Sequence, residues 1–399
     1  MSFLYRKLHD ALFAPPEAYR QKYVVPRVEA LRQLPAPGQG EGQAPAQLEN
    51  RLFISGGKLD TRLRVLRGAI AQQLKAGRAV VVVQPAGKPL YSFTTEFTQR
   101  YLNACDGSYD PLCGYSVRGS SLLLSHAASA LGLSASEASA LLTPLCDEME
   151  YFAQHRGELG MGSFVNATSR ELGAAAFEQG DARLAESHSA GEVSNRLDWL
   201  RASLEESCRF GGAGTSLRTA ARAEAVTVVR LPQDAAGWLA IALAELKSLS
   251  NSGGLDVLPV FLDFHISDTC RPFVEGLPCG RCFCYQDLPA LGWVWSAAIA
   301  ASSTGCLLRH TGESAQIASR YFGKTKASKR VSTASSAISK CDSGGLMGIF
   351  DSTTLSDSHG CSVSYEWEPA IPEGVISALD DDEGIFIFQN HNKPYRINL

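Results

Sequence analysis

A continuous β-branched run, Ala79 to Val83 (AVVVV), constrains this chain more than any other feature. An uninterrupted apolar run of this kind belongs to a strand buried on both faces, as in parallel sheets covered by helices. The residues before it complete a unit. Arg51 to Ser55 (RLFIS) reads as a short strand and Gly56-Gly57 as a turn. Asp60 is placed to cap a helix that carries Leu63, Leu66, Ile70 and Leu74 at helical spacing. Gly77 stops that helix. Strand, helix and strand within residues 51–83 have about the length a βαβ crossover needs.

The same alternation returns later. Val226 to Leu231, Val257 to Phe264, Cys282 to Tyr285 and Gly305 to Arg309 read as strands. Helices are expected over 235–248, 292–301 and 313–322, which argues a largely parallel sheet. Residues 119–209 are different. They are rich in Ala, Leu, Ser and Glu, lack a β-branched run, and read as about four or five helices. Residues 1–34 read as amphipathic helices broken at Pro15-Pro16 and Pro26, and 35–47 as a Pro/Gly/Gln-rich linker. Residues 210–214 (FGGAG) read as a loop. Residues 324–362 are rich in Ser, Thr and Lys and read as a partly mobile surface arm, before two closing strands within 383–399.

Composition excludes several classes. The chain has 399 residues, 45% hydrophobic and 20% charged, which is globular. Its net charge of -4 supplies no overall basic stripe for nucleic acid. No window holds the roughly 18 consecutive apolar residues of a membrane span. The N-terminal residues are charged throughout and carry no signal-peptide core, so a cytoplasmic protein is expected. The 11 Cys are an odd count, scattered mostly through apolar surroundings, which suits reduced thiols. Cys270, Cys279, Cys282 and Cys284 form one cluster. Cys-x-x-Cys grips zinc with two thiolates, but a second pair is absent, and buried thiols are the plainer reading. There is no G-x-S-x-G elbow and no G-x-G-x-x-G, so hydrolase-triad and dinucleotide readings are set aside.

The order of segments over residues 50–399 resembles the TraG/TraD coupling proteins of type IV secretion, within the HerA/FtsK P-loop ATPase superfamily. No single motif carries this; their order and spacing do. RLFIS stands where that family places the strand before its phosphate loop. Gln84-Pro85-Ala86-Gly87-Lys88-Pro89 resembles its Asp-Pro-Lys-Gly-Glu, and Tyr109-Asp110-Pro111-Leu112 its Asn-Pro-Leu. Val260 to Phe264 (VFLDF) resembles the second acidic strand. Cys284 to Leu288 (CYQDL) resembles the strand carrying a γ-phosphate-sensing Gln. Glu313 to Gly323, Ser364-Tyr365-Glu366 with Glu368-Pro369, GIFIF and KPYRINL resemble the closing segments. The resemblance implies an α/β fold: a RecA-like P-loop-NTPase-type core with a largely parallel sheet and an inserted all-α subdomain. The corresponding divisions are 1–48 (helical segment and linker), 49–118 (first part of the core), 119–210 (all-α insert), 211–323 (second part of the core) and 324–399 (arm and closing strands).

The departures from the family are concentrated at its nucleotide site. A phosphate loop needs Gly-x-x-x-x-Gly-Lys-[Ser/Thr], because backbone amides wrap the phosphates, Lys neutralises them and a hydroxyl binds Mg²⁺. Here that place holds Ser55-Gly56-Gly57-Lys58-Leu59-Asp60-Thr61-Arg62. The late Gly is Asp60, the Lys is Thr61 and the hydroxyl is Arg62. Asp60 puts negative charge where phosphate would sit, while Lys58 and Arg62 offer positive charge from other positions. Asp263 is present, but Phe264 stands where the family keeps a catalytic Glu. Gln84 stands where it has Asp. Gln286 alone of the catalytic set matches.

Asp263 and Gln286 are therefore the vestigial catalytic candidates, each also readable as a structural residue at a strand end. His265 beside Asp263 is a weaker candidate. Arg309, Arg320, Lys324, Lys326, Lys329 and Arg330 form the one basic patch, for nucleic acid or an acidic partner, or simply a solvated surface. Asp380-Asp381-Asp382-Glu383 reads as a turn, or as a partner for a basic surface on a neighbouring subunit. Three functions follow. The first is a non-hydrolysing scaffold or adaptor, needing no cofactor and working with protein partners of a conjugation or secretion apparatus. The second is a DNA-translocating ATPase, using ATP and Mg²⁺ through Lys58 or Arg62. The third is a protein binding another ligand near Ser55 to Asp60, Asp263 and Gln286. No metal site is expected. DNA as a partner and a homo-oligomer, in the family a hexamer, stay open. The missing membrane helices are a further departure from the family.

Overall fold

The computed structural model describes residues 51–155, 159–189, 191–205, 214–233, 235–252, 255–289, 292, 304–321, 324–340, 353–369, 371–388 and 391–398. The helices and linker expected over 1–47 lie outside the described residues, as do most of the 292–301 helix and the 210–214 loop.

The run that dominates the sequence forms β2 (Ala79–Pro85), and all of its residues are buried. Alternate side chains of a strand point to opposite faces. Val80 and Val82 pack with Leu63, Leu66, Ile70 and Leu74 of α1 (Leu59–Lys75) on one face. Val81 and Val83 join the larger core on the other. Each fully buried Val contributes about 1.5–3 kcal/mol of transfer free energy. Before α1 comes β1 (Arg51–Ser55). Lys58, not Asp60, is the N-cap of α1, and its side chain makes no capping hydrogen bond. Asp60 lies inside the first turn. Gly77, at φ 82°, ends the unit in a conformation that favours glycine.

β3 (Gln99–Asn103) is followed by helices α2 (Val117–Ala130), α3 (Ala135–Ala140), α4 (Leu142–His155), α5 (Met161–Val165), α6 (Ser169–Gln179), α7 (Ala182–Ser189) and α8 (Gly191–Glu205). These are more helices than the composition suggested. Two capping boxes divide the stretch, Ser134 with Glu137 and Thr168 with Glu171; each satisfies amides at a new helix start. α9 (Leu217–Ala223) leads back to the sheet. Then come β4 (Val226–Leu231), α10 (Ala236–Ser252), β5 (Val257–Leu262), α11 (Arg271–Glu275), β6 (Arg281–Tyr285), β7 (Thr304–Leu307) and α12 (Gly312–Tyr321). The chain continues through β8 (Lys324–Lys340), β9 (Thr353–Pro369), α13 (Glu373–Ser377), β10 (Glu383–Phe388) and β11 (His391–Asn398).

Nine strands form one sheet in the order β11-β10-β7-β1-β6-β5-β2-β4-β3. From β7 to β3 every neighbour is parallel. β10 and β11 add antiparallel strands at one edge. This is the α/β, largely parallel architecture that the segment order implied.

Two further readings change. The strand expected over 257–264 ends at Leu262, because Asp263 turns to φ 47°, so Phe264 is outside it. The Ser/Thr-rich arm is a two-stranded antiparallel ribbon, β8 against β9, in register from Lys324↔Pro369 to Lys340↔Thr353. The Ser/Thr/Lys composition of β8 carries little apolar signal, while the alternation of Cys361, Val363, Tyr365 and Trp367 in β9 is the available strand signal. The cysteine cluster is divided between the two faces of the sheet. Cys282, Cys284 and Cys306 lie in the α1-side core, whereas Cys270 is in the other. Burial pushes the Cys284 thiol up to about 12. Among the described residues no three His, Cys, Asp or Glu gather as a metal site. None of the described helices is long and apolar enough to cross a membrane.

A buried carboxyl ties the helices to the sheet. Glu245 of α10 accepts from Tyr109 Oη at 2.7 Å and from the backbone amides of Leu217 and Arg218 at 3.3 and 3.4 Å. The last two are first-turn amides of α9 with no intrahelical acceptor. Tyr109 also packs its ring against Trp238. Neighbouring Asp110 accepts from the amides of Leu112 and Met161 through Oδ1, anchoring the start of α5. Burial holds the Glu245 carboxyl up to about 8. A folded value above the unfolded one means that stability is greatest below the unfolded value and falls as pH rises toward 8. Glu245→Gln is expected to remove that decline, which amounts to at most about 1.4 kcal/mol per pH unit. Urea unfolding between pH 6.5 and 8 measures it; equal slopes for the two proteins would contradict this role.

Candidate functional site

Ligands of open α/β sheets bind at the carboxyl ends of the strands. Here the ends of β1, β2, β5 and β6 meet, and they bring Ser55 to Arg62, Gln84, Asp263 and Gln286 together. The turn after β1 decides the chemistry. Gly56 and Gly57 have φ 85° and 66°, which point their amides off the strand line. Both amides are already used: Gly56 N–H donates to the Tyr285 carbonyl at 3.0 Å, and Gly57 N–H to the Arg309 carbonyl at 2.8 Å. The Ser55 carbonyl accepts from Leu308 N–H at 2.8 Å. The turn is thus bonded to the ends of β6 and β7 through its own backbone.

His310, which sequence reasoning missed, closes the turn from above. Its Nε2 lies 3.0 Å from Ser55 Oγ. A Cβ built on Gly56 would stand 2.7 Å from that same nitrogen and 2.7 Å from the Arg309 carbonyl oxygen. The imidazole and the Arg309 backbone therefore fill the space over the glycine. Burial, and then the charge of Arg62, push the imidazole down to about 4, so it is neutral at pH 7.

Arg62 closes the turn from below. It is a fully buried cation, only 1% exposed. Nη1 donates to the Gly57 carbonyl at 3.0 Å, and Nη2 to Asp263 Oδ2 at 3.1 Å. Asp263 Oδ1 accepts from the Gln286 amide at 2.9 Å. The carboxylate is held on both sides, which explains how a non-glycine residue keeps φ 47°. His265 is exposed, and Asp263 is committed to Arg62 and Gln286 instead. Lys58 and Thr61 face outward to the turn before β10. Lys58 Nζ pairs with Asp381 Oδ2 at 2.6 Å, and Thr61 Oγ1 donates to the Asp381 carbonyl at 2.8 Å. The acidic turn thus pairs within its own chain.

A cavity of about 60 Å³ remains, lined by Leu59, Arg62, Gln84, Lys88, Asp263 and Gln286 among others. That is room for a few water molecules. Gln84 donates through Nε2 to the Pro89 carbonyl at 3.3 Å, and its Oε1 has no partner. The basic patch is not gathered at this site. Arg309 is half-exposed, 4.0 Å from Asp381, and Arg320 is on the exposed face of α12. Lys324, Lys326, Lys329 and Arg330 fall at the root of the ribbon, opposite Pro369, Trp367, Ser364 and Val363.

No protein-family profile matches the chain, and neither does any curated protein. Solved structures do match. The unbound bacterial conjugative coupling protein TrwBdeltaN70 aligns over 93% of this chain and 90% of its own, with TM-score 0.53 and 13% identity. Plasmid coupling protein TrwB with the ATP analogue ADPNP aligns over 94% and 91%, at 0.52 and 15%. TrwB with ADP and Mg²⁺ aligns over 94% and 91%, at 0.52 and 14%. The fold is that of the conjugative coupling proteins.

Within the coupling-protein fold, the residues at the β1–α1 turn do not fit Mg²⁺ and a triphosphate. In P-loop enzymes the metal is held between the loop hydroxyl and the acidic-strand Asp. In this chain a guanidinium spans that interval. Two predictions test the arrangement. Arg62→Met leaves Asp263 without its cation and is expected to cost about 2–3 kcal/mol, given that Asp263 is partly solvated. The double variant with Asp263→Asn should recover about 1 kcal/mol or more of coupling; strict additivity in urea unfolding would contradict the pair. His310 has a folded value below its unfolded one, so its contribution is complete above about 6.5 and is lost as pH falls toward 4. His310→Gln should flatten the acid limb of stability between pH 6.5 and 4, read from urea midpoints.

Proposed function

We propose that this chain is a catalytically degenerate relative of the conjugative coupling proteins, acting as a non-hydrolysing scaffold or adaptor in DNA or protein transfer. One observation carries the reading. The Gly56 and Gly57 amides, which a phosphate loop would turn toward phosphates, are spent on the carbonyls of Tyr285 and Arg309. Further support comes from Arg62, whose guanidinium pairs with Asp263 where a metal ion would be needed. Phe264 is buried and supplies only its carbonyl, which accepts from Tyr285 Oη at 2.6 Å. No carboxylate follows Asp263 to polarise a water.

The motor alternative needs Lys58 or Arg62 to replace the missing Lys. Lys58 is engaged by Asp381, and Arg62 is buried under the turn. The binding-protein alternative draws support from the small cavity, where Gln84 Oε1 and Arg62 Nε are buried without partners. Any such ligand would be far smaller than a nucleotide. Protein components of a transfer apparatus are the partners this reading expects, because the TrwB structures are of coupling proteins.

Isothermal titration of the full chain with ATP and ADP, each with Mg²⁺, tests the proposal. No binding at millimolar nucleotide is expected. Micromolar binding accompanied by hydrolysis that DNA stimulates would overturn it.

A further inference from the structure

The acidic turn before β10 makes contacts that the degenerate site by itself does not explain. One residue, Asp381, is engaged by three side chains from two separate segments. Lys58 Nζ lies 2.6 Å from its Oδ2, and Arg309 Nη1 lies 4.0 Å from its Oδ1. Thr61 Oγ1 donates to its main-chain carbonyl at 2.8 Å. The turn is braced for this pose. Glu383 N–H donates to the Asp380 carbonyl and Asp380 N–H to Glu383 Oε2, both at 3.1 Å.

The position of these donors matters. Lys58 is the N-cap of α1, and Thr61 lies in the first turn, which lacks a side-chain cap. Arg309 follows β7. Lys58 and Arg309 form a cationic mouth above the β1–α1 turn, and the Asp381 carboxylate fills it. Asp382, one residue on, is also exposed, yet among the described residues it makes no ion pair like those of Asp381. The contact is specific to Asp381.

We propose that Asp381 is a built-in occupant of an oxyanion site made by Lys58 and Arg309, held in place by Thr61 through its main-chain carbonyl, standing where a phosphate group would have to enter, and that it excludes such anions in cis. This rests on the reading of the site as degenerate and adds a second barrier to it. The Lys58 hydrogen bond, and then its charge together with that of Arg309, keeps the Asp381 carboxyl below the usual carboxylate range, so the occupant is anionic at neutral pH. The ion pair is solvent-exposed, with side-chain exposures of 73% for Lys58 and 46% for Asp381, and exposed pairs are held weakly. The occupant is therefore displaceable, and the site accepts oxyanions of the phosphate or carboxylate kind once Asp381 is neutralised.

The probe is inorganic pyrophosphate, titrated calorimetrically into the full chain without metal. Wild type is expected to show no binding at millimolar concentration. Asp381→Asn keeps the backbone carbonyl that Thr61 uses and removes the charge. It should gain pyrophosphate affinity by at least about tenfold, and adding Lys58→Ala should abolish that gain. Asp382→Asn is the charge-matched control and should behave as wild type. Circular dichroism checks folding, and Asp381→Ala serves if the Asn variant does not fold. A folded Asp381 variant that binds no better than wild type overturns the proposal, as does an equal gain from Asp382→Asn. Hydrolysis of ATP by wild type would instead defeat the degenerate-site reading. The two failures are thus separable, since this proposal predicts pyrophosphate binding by the Asp381 variant with no hydrolysis.

Discussion

The pair between buried Arg62 and half-buried Asp263 is the interaction on which the rest of the site depends. A guanidinium removed from water needs its charge and its N–H groups answered. The Asp263 carboxylate answers the charge, and the Gly57 carbonyl takes a second donor. The consequence spreads along the chain. To reach Arg62 and the Gln286 amide together, Asp263 leaves the strand at positive φ, which ends β5 at Leu262. To receive Arg62, the β1–α1 turn presents its carbonyls inward. Its amides then find acceptors in Tyr285 and Arg309, on the flanking strand ends. One long cation beneath the turn thus fixes both the turn and the strand end that a metal ion would otherwise have to bridge.

The sheet itself does not depend on that pair. It is set by fully buried runs such as Val80 to Val83, whose two faces pack against α1 on one side and the helices on the other. This separation explains how a chain with 13–15% identity to TrwB keeps the same fold while its turn chemistry differs. Apolar burial tolerates exchange among residues of similar size. Phosphate and metal contacts do not, because each needs one donor or acceptor at one place.

The strands and helices were legible where hydrophobic periodicity was strong. AVVVV, RLFIS, VTVVRL and the Leu63-Leu66-Ile70-Leu74 face all formed the elements that their spacing implied. The turn could be read for what it lacks, since Asp60, Thr61 and Arg62 stand at positions of known chemistry. What replaces the lost contacts was not legible. His310 and Asp381 lie far along the chain from Ser55 and Lys58, and nothing local in the sequence marks their pairing. The ribbon formed by β8 and β9 escaped for another reason: β8 is rich in Ser, Thr and Lys with little apolar signal, although Cys361, Val363, Tyr365 and Trp367 of β9 alternate with polar residues as a strand does.

The substitutions at the turn also form a mutually consistent set. Thr61 stands where a phosphate-binding Lys would be, and its hydroxyl is bonded to Asp381. Arg62 stands at the metal-binding hydroxyl and is bonded to Asp263. The first glycine of the pattern is Ser55, whose hydroxyl meets a neutral His310. Each lost contact to a nucleotide is matched by a gained contact within the chain. Random loss of a ligand site would leave unanswered donors and open space. Here little space is left beyond the small cavity beside Arg62 and Gln84, where Arg62 Nε and Gln84 Oε1 lack partners, while the turn amides have acceptors and the buried guanidinium pairs with Asp263. A turn held in this way would have to break several internal bonds before it could wrap a phosphate. The bonds that hold the turn in this shape are therefore the same ones that keep its amides from a ligand.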